Sequence, residues 1–397
     1  MNNYGKSRKL SAQEIIDFGD ELDTLRRETM ATLGKKESDY IYKVRNFVRY
    51  SEIFARSSLM LGWIPPFWFL GAGLLGVSKI VENMELGHNV MHGQYDWMND
   101  PSLKGNTYEW DTVCTADNWR HTHNYIHHTY TNIQEVDHDI GYGVLRMFPE
   151  QRWEPRFLLN PLVASILAVS FQWTLALQSL ETEKVFSKEK SFTQYRKEFK
   201  PIFSKMKKKF FKDYIFFPVI AGPMFISVIT GNLVANVIRN LWTFGIIFCG
   251  HFTADAATFP KEILENETRG DWYIRQIRGS SNLTGGKLLH FMSGNLSHQI
   301  EHHLFPDVPG VRYAELSVKV KSICERYGQH YNTGSFFKQF SSVLWRILKY
   351  SLPFGENRKT EAVSDVVATQ ETKSPKSTGV IPTVKSIGQS ISGRDAA

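Results

Sequence analysis

The sequence predicts an all-α protein, a polytopic integral membrane bundle of helices that carries a histidine-rich cap on its cytosolic side. Two observations lead to this fold class. Long uncharged stretches alternate with basic segments in a chain that is 42% hydrophobic, a pattern typical of membrane helices joined by cytosolic loops. Histidines also recur at intervals of four residues, the spacing that places two side chains on one face of a helix.

The N-terminal fifty residues are expected to form amphipathic, cytosolic helices. Ser11-Ala-Gln-Glu14 has the pattern of a helix capping box, and no short apolar core with a cleavage site, as a signal peptide requires, is found there. We therefore expect three parts. These are helices over residues 1–50, a membrane domain over 51–353, and a disordered tail over 354–397 that is rich in Ser, Thr and Lys.

The cysteines are widely separated along the chain. Cys114, Cys249 and Cys324 do not suit a disulfide framework, and three are too few for a four-thiolate iron–sulfur centre. A reducing, cytosol-facing location fits this usage.

Three apolar stretches are long enough to cross or enter a hydrocarbon layer about 30 Å thick. Residues 57–78 and 157–180 carry no charge, and 214–250 contains only Arg239. The first stretch could be a single span or a helical hairpin tipped by Pro65-Pro66. Basic residues before it favour the hairpin.

A helix that starts near Pro66 is expected to continue without a break through Lys79 to His92. At 1.5 Å per residue, His88 then lies about 13 Å beyond Lys79. The first histidines should therefore stand above the bilayer surface.

The basic segment 181–213 has a net charge of +6 and is expected to stay on the cytosolic side. If the histidine clusters share one centre, an even number of crossings must separate the second cluster from the third, yet three apolar runs lie between them. We expect 214–230 and 233–250 to form a hairpin that turns at Gly231-Asn232. The remaining run, 157–180, then dips into the membrane or lies along its interface.

Three short stretches contain histidines spaced four apart. Random placement predicts roughly 0.4 such pairs. A further candidate, His251, follows the last apolar run, and the total exceeds what one metal ion needs, so two metal ions are predicted. The three stretches are His88-Asn-Val-Met-His92, His123-Asn-Tyr-Ile-His127-His128 and His298-Gln-Ile-Glu-His302-His303.

A thiolate-free set of imidazoles suits iron, zinc or copper, and spacing alone does not choose among them. A metal pair just above a membrane, with no nucleotide-binding loop and no Ser-His-Asp pattern, indicates a substrate dissolved in the bilayer. Removing hydrogen from an unactivated methylene is beyond side-chain acids and bases, whereas iron with dioxygen can do it.

The histidine stretches resemble the three histidine boxes of the integral-membrane fatty acid desaturases, and the third, which continues into Leu-Phe-Pro, is the most specific. The region from about Ser51 to Pro353 is similar to the stand-alone acyl-CoA desaturases of bacterial and mycobacterial type, which include stearoyl-CoA Δ9 enzymes. The resemblance implies an oxygen-dependent enzyme that introduces a cis double bond into a CoA-linked C16–C18 chain. It also implies a bacterial inner-membrane location with the active site facing the cytoplasm.

The same resemblance implies a non-haem di-iron centre, with dioxygen as co-substrate, and Asn295 near the metals. The form Gln299-Ile-Glu-His302-His303 also occurs in front-end desaturases fused to cytochrome b5, so the position of the double bond stays open. No His-Pro-Gly-Gly haem motif is present, and a separate reductase or ferredoxin-type electron donor is expected. Membrane lipids and the acyl-CoA are the other expected partners, with no nucleic acid. The implied ligands are His88, His92, His123, His127, His128, His251, His298, His302 and His303.

Other polar residues carry weaker hypotheses. Asp137 and Asp139 could orient the box imidazoles by accepting their second N–H. Arg275 and Arg278 could bind the phosphates of an acyl carrier, although a solvated basic helix face is the simpler interpretation. Four further histidines are expected to be ordinary surface, core or supporting residues: His121, His138, His290 and His330.

Two other functions fit parts of the pattern. A membrane alkane or acyl hydroxylase uses much the same boxes and differs only in the fate of the substrate radical. A metal transporter fits less well, because transporters place ionisable groups at the bilayer midplane, whereas these histidines are predicted outside it.

Overall fold

The computed structural model describes residues 7–186 and 188–354, and in this part of the chain almost all regular structure is helical. The predicted all-α class is confirmed. A short parallel pair of strands, Asn282–Thr284 and Thr333–Ser335, is the exception. The tail predicted over 354–397 lies, except for Phe354, outside the described residues. The main helices are α1 (Ala12–Ala31), α2 (Lys35–Met60), α3 (Pro65–Val81), α4 (Asn160–Val169), α5 (Phe171–Gln178), α6 (Phe192–Phe211), α7 (Phe225–His251), α8 (Arg269–Gly279), α9 (Gln299–Leu304), α10 (Tyr313–Arg326) and α11 (Phe336–Ser351).

Shorter helical segments connect or extend these helices. They are Glu82–His88, Asn89–Met91, Asp96–Met98, Pro101–Leu103, Ala116–Trp119, Arg120–His127, His128–Tyr130, Ile140–Gly143, Pro155–Leu159, Glu183–Phe186, Lys212–Phe216, Phe217–Ile220, Gly222–Met224, Lys261–Glu265, Lys287–Met292 and Gly310–Arg312.

Helix α1 begins at the predicted capping box. The Ser11 side chain accepts from the backbone N–H of Glu14, and the Glu14 carboxylate accepts from the backbone N–H of Ser11. Helix α2 then runs without a break from Lys35 to Met60. The domain boundary predicted after residue 50 falls inside this continuous helix.

The first apolar stretch forms a helical hairpin. Helices α2 and α3 pack side by side around the turn at residues 61–64, and Pro65 starts α3, where its fixed φ suits the first helical turn. The hairpin, rather than the single span, is the alternative that the structure adopts. Beyond Val81 the helix continues as a wider π-helical segment, Glu82–His88, into Asn89–Met91, which confirms the predicted run to the first histidines.

The hairpin predicted to turn at Gly231-Asn232 is wrong, because α7 is continuous through both residues. A Cβ at Gly231 would lie 2.3 Å from Leu59 Cδ2, so the glycine permits close packing of α7 on α2 rather than a turn. The chain instead turns at Gly222-Pro223, where Gly222 has a left-handed φ of 55°. The first arm of this second hairpin is the helical run 192–220, which includes the basic segment.

The two hairpin tips lie together. Trp68 Nε1 donates to the Ser227 carbonyl at 3.2 Å, and Ser227 Oγ donates to the Leu59 carbonyl at 2.9 Å. The third apolar stretch behaves differently, since α4 and α5 meet at an angle of 102°. Among the described residues, one helix, Gly222–His251, is long and apolar enough to cross a membrane, or two if the bent pair counts as a span.

A buried group of charged and amide side chains joins the two hairpins, and we call it the Asp213 network. The Asp213 carboxylate accepts from Arg56 Nη2 at 2.9 Å and from Lys79 Nζ at 2.6 Å. Asn236 Oδ1 accepts from Lys79 at 2.9 Å, and Asn232 Nδ2 donates to the Asp213 carbonyl at 2.8 Å. Because each of these groups has a partner, the network fixes the position of α7 against α2 and α3.

A second layer of helices holds the third histidine stretch. Helices α1, α8, α9 and α10 share a hydrophobic core of aromatic and aliphatic side chains, and α9 packs on both α8 and α10. This core holds α9, whose His302 and His303 lie beside histidines of the other segments. Its largest fully buried members are Phe18, Tyr273, Phe305 and Tyr313.

Candidate metal centre

Each histidine stretch is positioned by its own element. The first and second lie at π-helical segments, Glu82–His88 and Arg120–His127, whose wider turns are often found at functional sites. The third lies on α9, and His251 is the last residue of α7. Four separate parts of the chain therefore converge on one place.

The structure brings eight of the nine predicted histidines into overlapping groups. Within each group the atoms that could bind a metal lie within 4.8 Å of one another. Two of these groups have no residue in common, as a pair of metal ions would require. The groups are His88, His92, His123 and His302; His127, His251 and His303; His128 with His302 and His303; and His123 and His127 with Asp139.

The imidazoles approach each other closely around His251. Its Nε2 lies 3.0 Å from His303 Nε2 and 3.3 Å from His127 Nε2. Nearby, the Nε2 atoms of several buried rings have no hydrogen-bond partner, and His128 has none at either nitrogen. Buried ring nitrogens without partners are unfavourable, and a shared cation satisfies them, so these residues fit a metal centre. The other histidines of the three stretches with an unpartnered Nε2 are His92, His123, His298 and His302.

Burial keeps most of these rings neutral, which is the form that binds metals. Burial, together with the nearby His123, lowers the pKa of His88 to about 3. Burial and neighbouring histidines also hold the pKa values of His302 and His303 well below the usual range. His127 is the exception: burial lowers its pKa, but the carboxylates of Asp137 and Asp139 outweigh burial and raise it overall.

Acceptors behind the rings fix which nitrogen faces the centre. His127 Nδ1 lies 3.0 Å from the Asp137 carboxylate, and His123 Nδ1 lies 3.5 Å from Asp139. An N–H donated to a carboxylate from Nδ1 leaves Nε2 as the metal-binding atom. Both aspartates therefore lie within reach of a ring of the second stretch, as the predicted orienting role would require.

The sequence analysis missed further contacts of this kind, including two to side chains of other helices. His303 Nδ1 lies 3.0 Å from Gln276 Oε1, and His302 Nδ1 lies 3.4 Å from the Tyr313 hydroxyl. Gln276 is on α8 and Tyr313 on α10. Neither residue belongs to a motif, so only the packing of α9 between these helices reveals them.

His298 is the one predicted ligand that lies outside the groups. It is the residue before α9, with φ −104° and ψ 58°, so the rule that side chains four apart share a helical face does not apply to His298 and His302. Its ring stacks on His290, with centroids 4.6 Å apart. Gln299 takes the place beside the centre instead, with Nε2 2.9 Å from His251 Nε2.

Three other predicted site residues have different neighbours. The Asn295 amide donates to Glu85 at 2.9 Å and not to an imidazole. The prediction that Arg275 binds acyl-carrier phosphate is wrong, because its side chain is buried, paired with Glu267 and bonded to the Thr129 carbonyl. Arg278 is partly buried and donates to Gln329.

The four histidines expected to be ordinary lie outside the metal-binding groups. His121 is exposed and stacks on Tyr125. His138 Nε2 lies 3.1 Å from Glu181. His290 Nδ1 lies 2.7 Å from Ser297 Oγ. The backbone N–H of His330 donates to Ser7 Oγ.

A cavity begins at the imidazoles and extends along α7. His88, His123, His127 and His251 form one end. Most of the remaining wall is aromatic and aliphatic, which is the kind of lining that an alkyl chain requires. These side chains are Met84, Trp110, Trp119, Tyr142, Phe171, Leu175, Ile247, Phe252 and Leu296.

Comparisons with known proteins agree with this site. Residues 61–335 match the family model described as fatty acid desaturase. The chain is 44% identical over 349 residues to an NADPH-dependent stearoyl-CoA 9-desaturase of Mycobacterium tuberculosis, which covers 87% of this chain and 82% of the relative. It is also 29% identical to an sn-1 linoleoyl-lipid 6-desaturase of Synechocystis, over 72% of this chain and 80% of that protein. The chain therefore belongs to the fatty acid desaturase family.

Proposed function

We propose that this protein is an oxygen-dependent acyl-CoA desaturase that introduces a cis double bond into a saturated C16–C18 chain at a di-iron centre. The observation that carries the proposal is the pair of imidazole groups with unpartnered ring nitrogens, which lie at one end of a largely apolar cavity. Iron bound there would supply the dioxygen chemistry that breaks an unactivated C–H bond.

The side chains of this site have separate roles in the proposal. His88, His92, His123 and His302 would hold one iron, and His127, His251 and His303 the other. His128 lies between the groups, next to His302 and His303. Asp137, Asp139, Gln276 and Tyr313 orient the rings, while Gln299 adds a polar contact to His251. The apolar cavity wall excludes water and holds one methylene pair in place.

The relatives guide the choice of substrate. The mycobacterial protein is named a stearoyl-CoA 9-desaturase and the cyanobacterial one a 6-desaturase acting on a lipid. The identity to the first is much higher, and we propose CoA-linked stearoyl as the substrate and the 9-position as the site of the double bond.

A separate reductase or ferredoxin-type protein is proposed as the electron donor. The relative is named as NADPH-dependent, which leaves open whether electrons pass through another protein. The three cysteines of this chain are each buried and unpaired, and no nucleotide-binding loop was found in the sequence. We expect purified protein, supplied with NADPH and dioxygen alone, to be inactive. Turnover under those conditions would contradict this part of the proposal.

We also propose a membrane topology in which both hairpins enter from the cytosol and return to it. The contact between the tips near Ser227 and Leu59 supports this arrangement, since it puts both turns on one side. Cysteines can be introduced singly in a background without native cysteines. In intact cells, one at the exposed Pro223 should react with a membrane-impermeant maleimide, and one at Ser204 should not. The reverse labelling would contradict the topology.

The product analysis that tests the function uses a desaturase-deficient bacterial host. Fatty acids from cells that express the protein should contain a new cis double bond, located by gas chromatography and mass spectrometry. His302→Ala should abolish it, whereas His121→Ala, which changes an exposed histidine near the second box, should not. A hydroxylated product instead of an alkene would contradict the proposal and favour the hydroxylase alternative.

A further inference from the structure

The 109–114 segment lies between the first and second histidine stretches and forms part of the cavity wall. Trp110 and Thr112 line the cavity. Trp110 is 6% exposed, and its ring centroid lies 5.2 Å from that of Trp119. The Trp119 ring in turn stacks on His123, with centroids 4.5 Å apart. The position of Trp110 therefore affects both the space open to a chain and the surroundings of a predicted metal ligand.

The first histidine stretch is packed against the same segment. A Cβ at Gly87, the residue before His88, would lie 2.9 Å from Trp110 Cβ. The backbone N–H of the next residue, Asp111, donates to the Glu82 carboxylate at 2.8 Å. Because Glu82 and Gly87 belong to one π-helical segment, Trp110 lies directly against the element that carries His88.

Three lysines hold the 109–114 segment, and we call them the lysine clamp: Lys205, Lys209 and Lys212. They are spaced four and three residues apart on the first arm of the second hairpin, so their side chains share one helical face. Lys205 Nζ donates to the Cys114 carbonyl at 2.8 Å, and Lys209 Nζ donates to the Asp111 carbonyl at 2.9 Å. Lys212 Nζ lies 3.4 Å from the Asp111 carboxylate. Each lysine thus contacts the segment that carries Trp110.

One carbonyl connects the lysine clamp with the Trp110 ring. The Cys114 carbonyl oxygen accepts from Lys205 Nζ and from Trp110 Nε1, both at 2.8 Å. The carboxylates of the two residues that flank Trp110 also form ion pairs with clamp lysines. Because lysines hold both neighbours of Trp110 and the acceptor of its N–H, the clamp fixes the orientation of the indole.

We propose that the lysine clamp determines where the double bond is placed, by holding Trp110 at a fixed position in the cavity wall. The carbon pair that reacts is the pair that the wall holds next to the imidazoles, so a displaced indole lets the chain shift and presents other carbon pairs. The lysines are positioning residues, because none of the three is among the side chains that line the cavity. This inference rests on the proposed acyl-CoA desaturase function and concerns its selectivity for position.

The test locates the double bonds that the full-length enzyme, with its electron donor, introduces into octadecanoyl-CoA. Gas chromatography and mass spectrometry give the ratio of the principal positional isomer to all others. Lys205→Met and Lys209→Met should each lower this ratio by roughly threefold or more, because each removes a hydrogen bond made by a charged group. The matched control is Lys208→Met, which changes an exposed lysine of the same helix and should leave the ratio unchanged.

A double variant tests whether the clamp acts through the indole. Trp110→Phe alone should lower the ratio, since it replaces the indole with a smaller ring and removes the N–H that the Cys114 carbonyl accepts. Adding Lys205→Met to Trp110→Phe should then change the ratio less than Lys205→Met does alone, as expected for coupled residues. Equal effects in both backgrounds would show that Lys205 does not act through Trp110 and would overturn the proposal.

An isomer ratio that the lysine substitutions leave unchanged would also overturn it, even if the variants unfold at lower temperature, because a merely structural contact affects stability and not the position of the double bond. Each lysine is changed singly, so a variant that does not fold leaves the others to decide. A wild-type enzyme that introduces no double bond would contradict the proposed function, and with it this inference.

Discussion

The metal centre and the Asp213 network both bury polar side chains, but they differ in how many hydrogen-bonding atoms are satisfied. In the network, the Asp213 carboxylate accepts from Lys79 at 2.6 Å and from Arg56 at 2.9 Å. At the metal centre, Nδ1 of His127 and Nδ1 of His303 each have a hydrogen-bond acceptor. Both ring nitrogens of His128, in contrast, have no partner. A buried cluster whose hydrogen-bonding atoms are all satisfied holds helices together, whereas one with unpartnered atoms is suited to bind a ligand.

The largest expected effect comes from removing a shared ligand. His302→Ala deletes a ring that belongs to two of the imidazole groups, and we expect loss of bound iron and of all measurable desaturation. The protein should remain in the membrane fraction, because the imidazoles lie beyond the hairpin helices. Iron content and product formation are measured beside His121→Ala, which should behave as the wild type. A His302→Ala protein with the iron content of the wild type would show that His302 is not a metal ligand.

Loss of stability, not of metal, is expected from Asp213→Ala. The substitution leaves Arg56 and Lys79 buried without their carboxylate, and breaking such a pair costs about 3–5 kcal/mol. Thermal unfolding in detergent should therefore occur at a clearly lower temperature, while folded protein still binds iron. The control Asp117→Ala removes a carboxylate whose side chain is 91% exposed, and it should have little effect. Equal unfolding temperatures for the two variants would show that the network does not hold the hairpins.

A smaller effect on metal binding is expected behind the rings. Asp137→Asn keeps the shape of the side chain but removes the charge 3.0 Å from His127 Nδ1. Substitutions of such partners commonly weaken metal affinity by roughly 10–100-fold. Iron loss during titration with a chelator measures this, and Asp117→Asn serves as the control. Unchanged affinity would mean that the carboxylate does not tune the centre.

The smallest effect is expected at His298, although it belongs to the third histidine stretch. His298→Ala should retain two irons and activity close to that of the wild type, because the ring contacts His290 and not the imidazole groups. Gln299→Ala should reduce activity more, since Gln299 contacts His251. The two variants are compared for iron content and product formation. Loss of iron from His298→Ala alone would show that His298 moves into the centre when metal binds.

Much of the metal centre could be predicted because helical spacing is a local property. His88 with His92 and His123 with His127 lie within single helical runs, where the sequence fixes which side chains share a face. His298 did not follow the rule, because α9 begins only at Gln299. Gln276 and Tyr313 could not be found, since their contacts depend on how α8 and α10 pack around α9.

In the fold, too, features set by local sequence could be predicted, whereas features set by packing could not. The helix from Pro65 to Met91 and the cap at Ser11 were predicted from local signals. The turn of the second hairpin was misplaced because Gly231 looks like a turn residue in the sequence, whereas its role is close packing against Leu59. Gly222-Pro223 was the better turn signal. A glycine used for packing and one used for turning differ only in their neighbours in space.

The metal content of the purified protein, measured by elemental mass spectrometry, tests the proposed di-iron centre most directly. Desaturation of stearoyl-CoA is measured on the same protein. Two irons per chain, in protein that desaturates when a reductase is supplied, are the predicted result. Imidazole nitrogens bind both iron and zinc, so the ligands alone do not identify the metal. The desaturation rate must therefore increase with the iron content. Full activity with stoichiometric zinc and no iron would contradict the proposed di-iron desaturase.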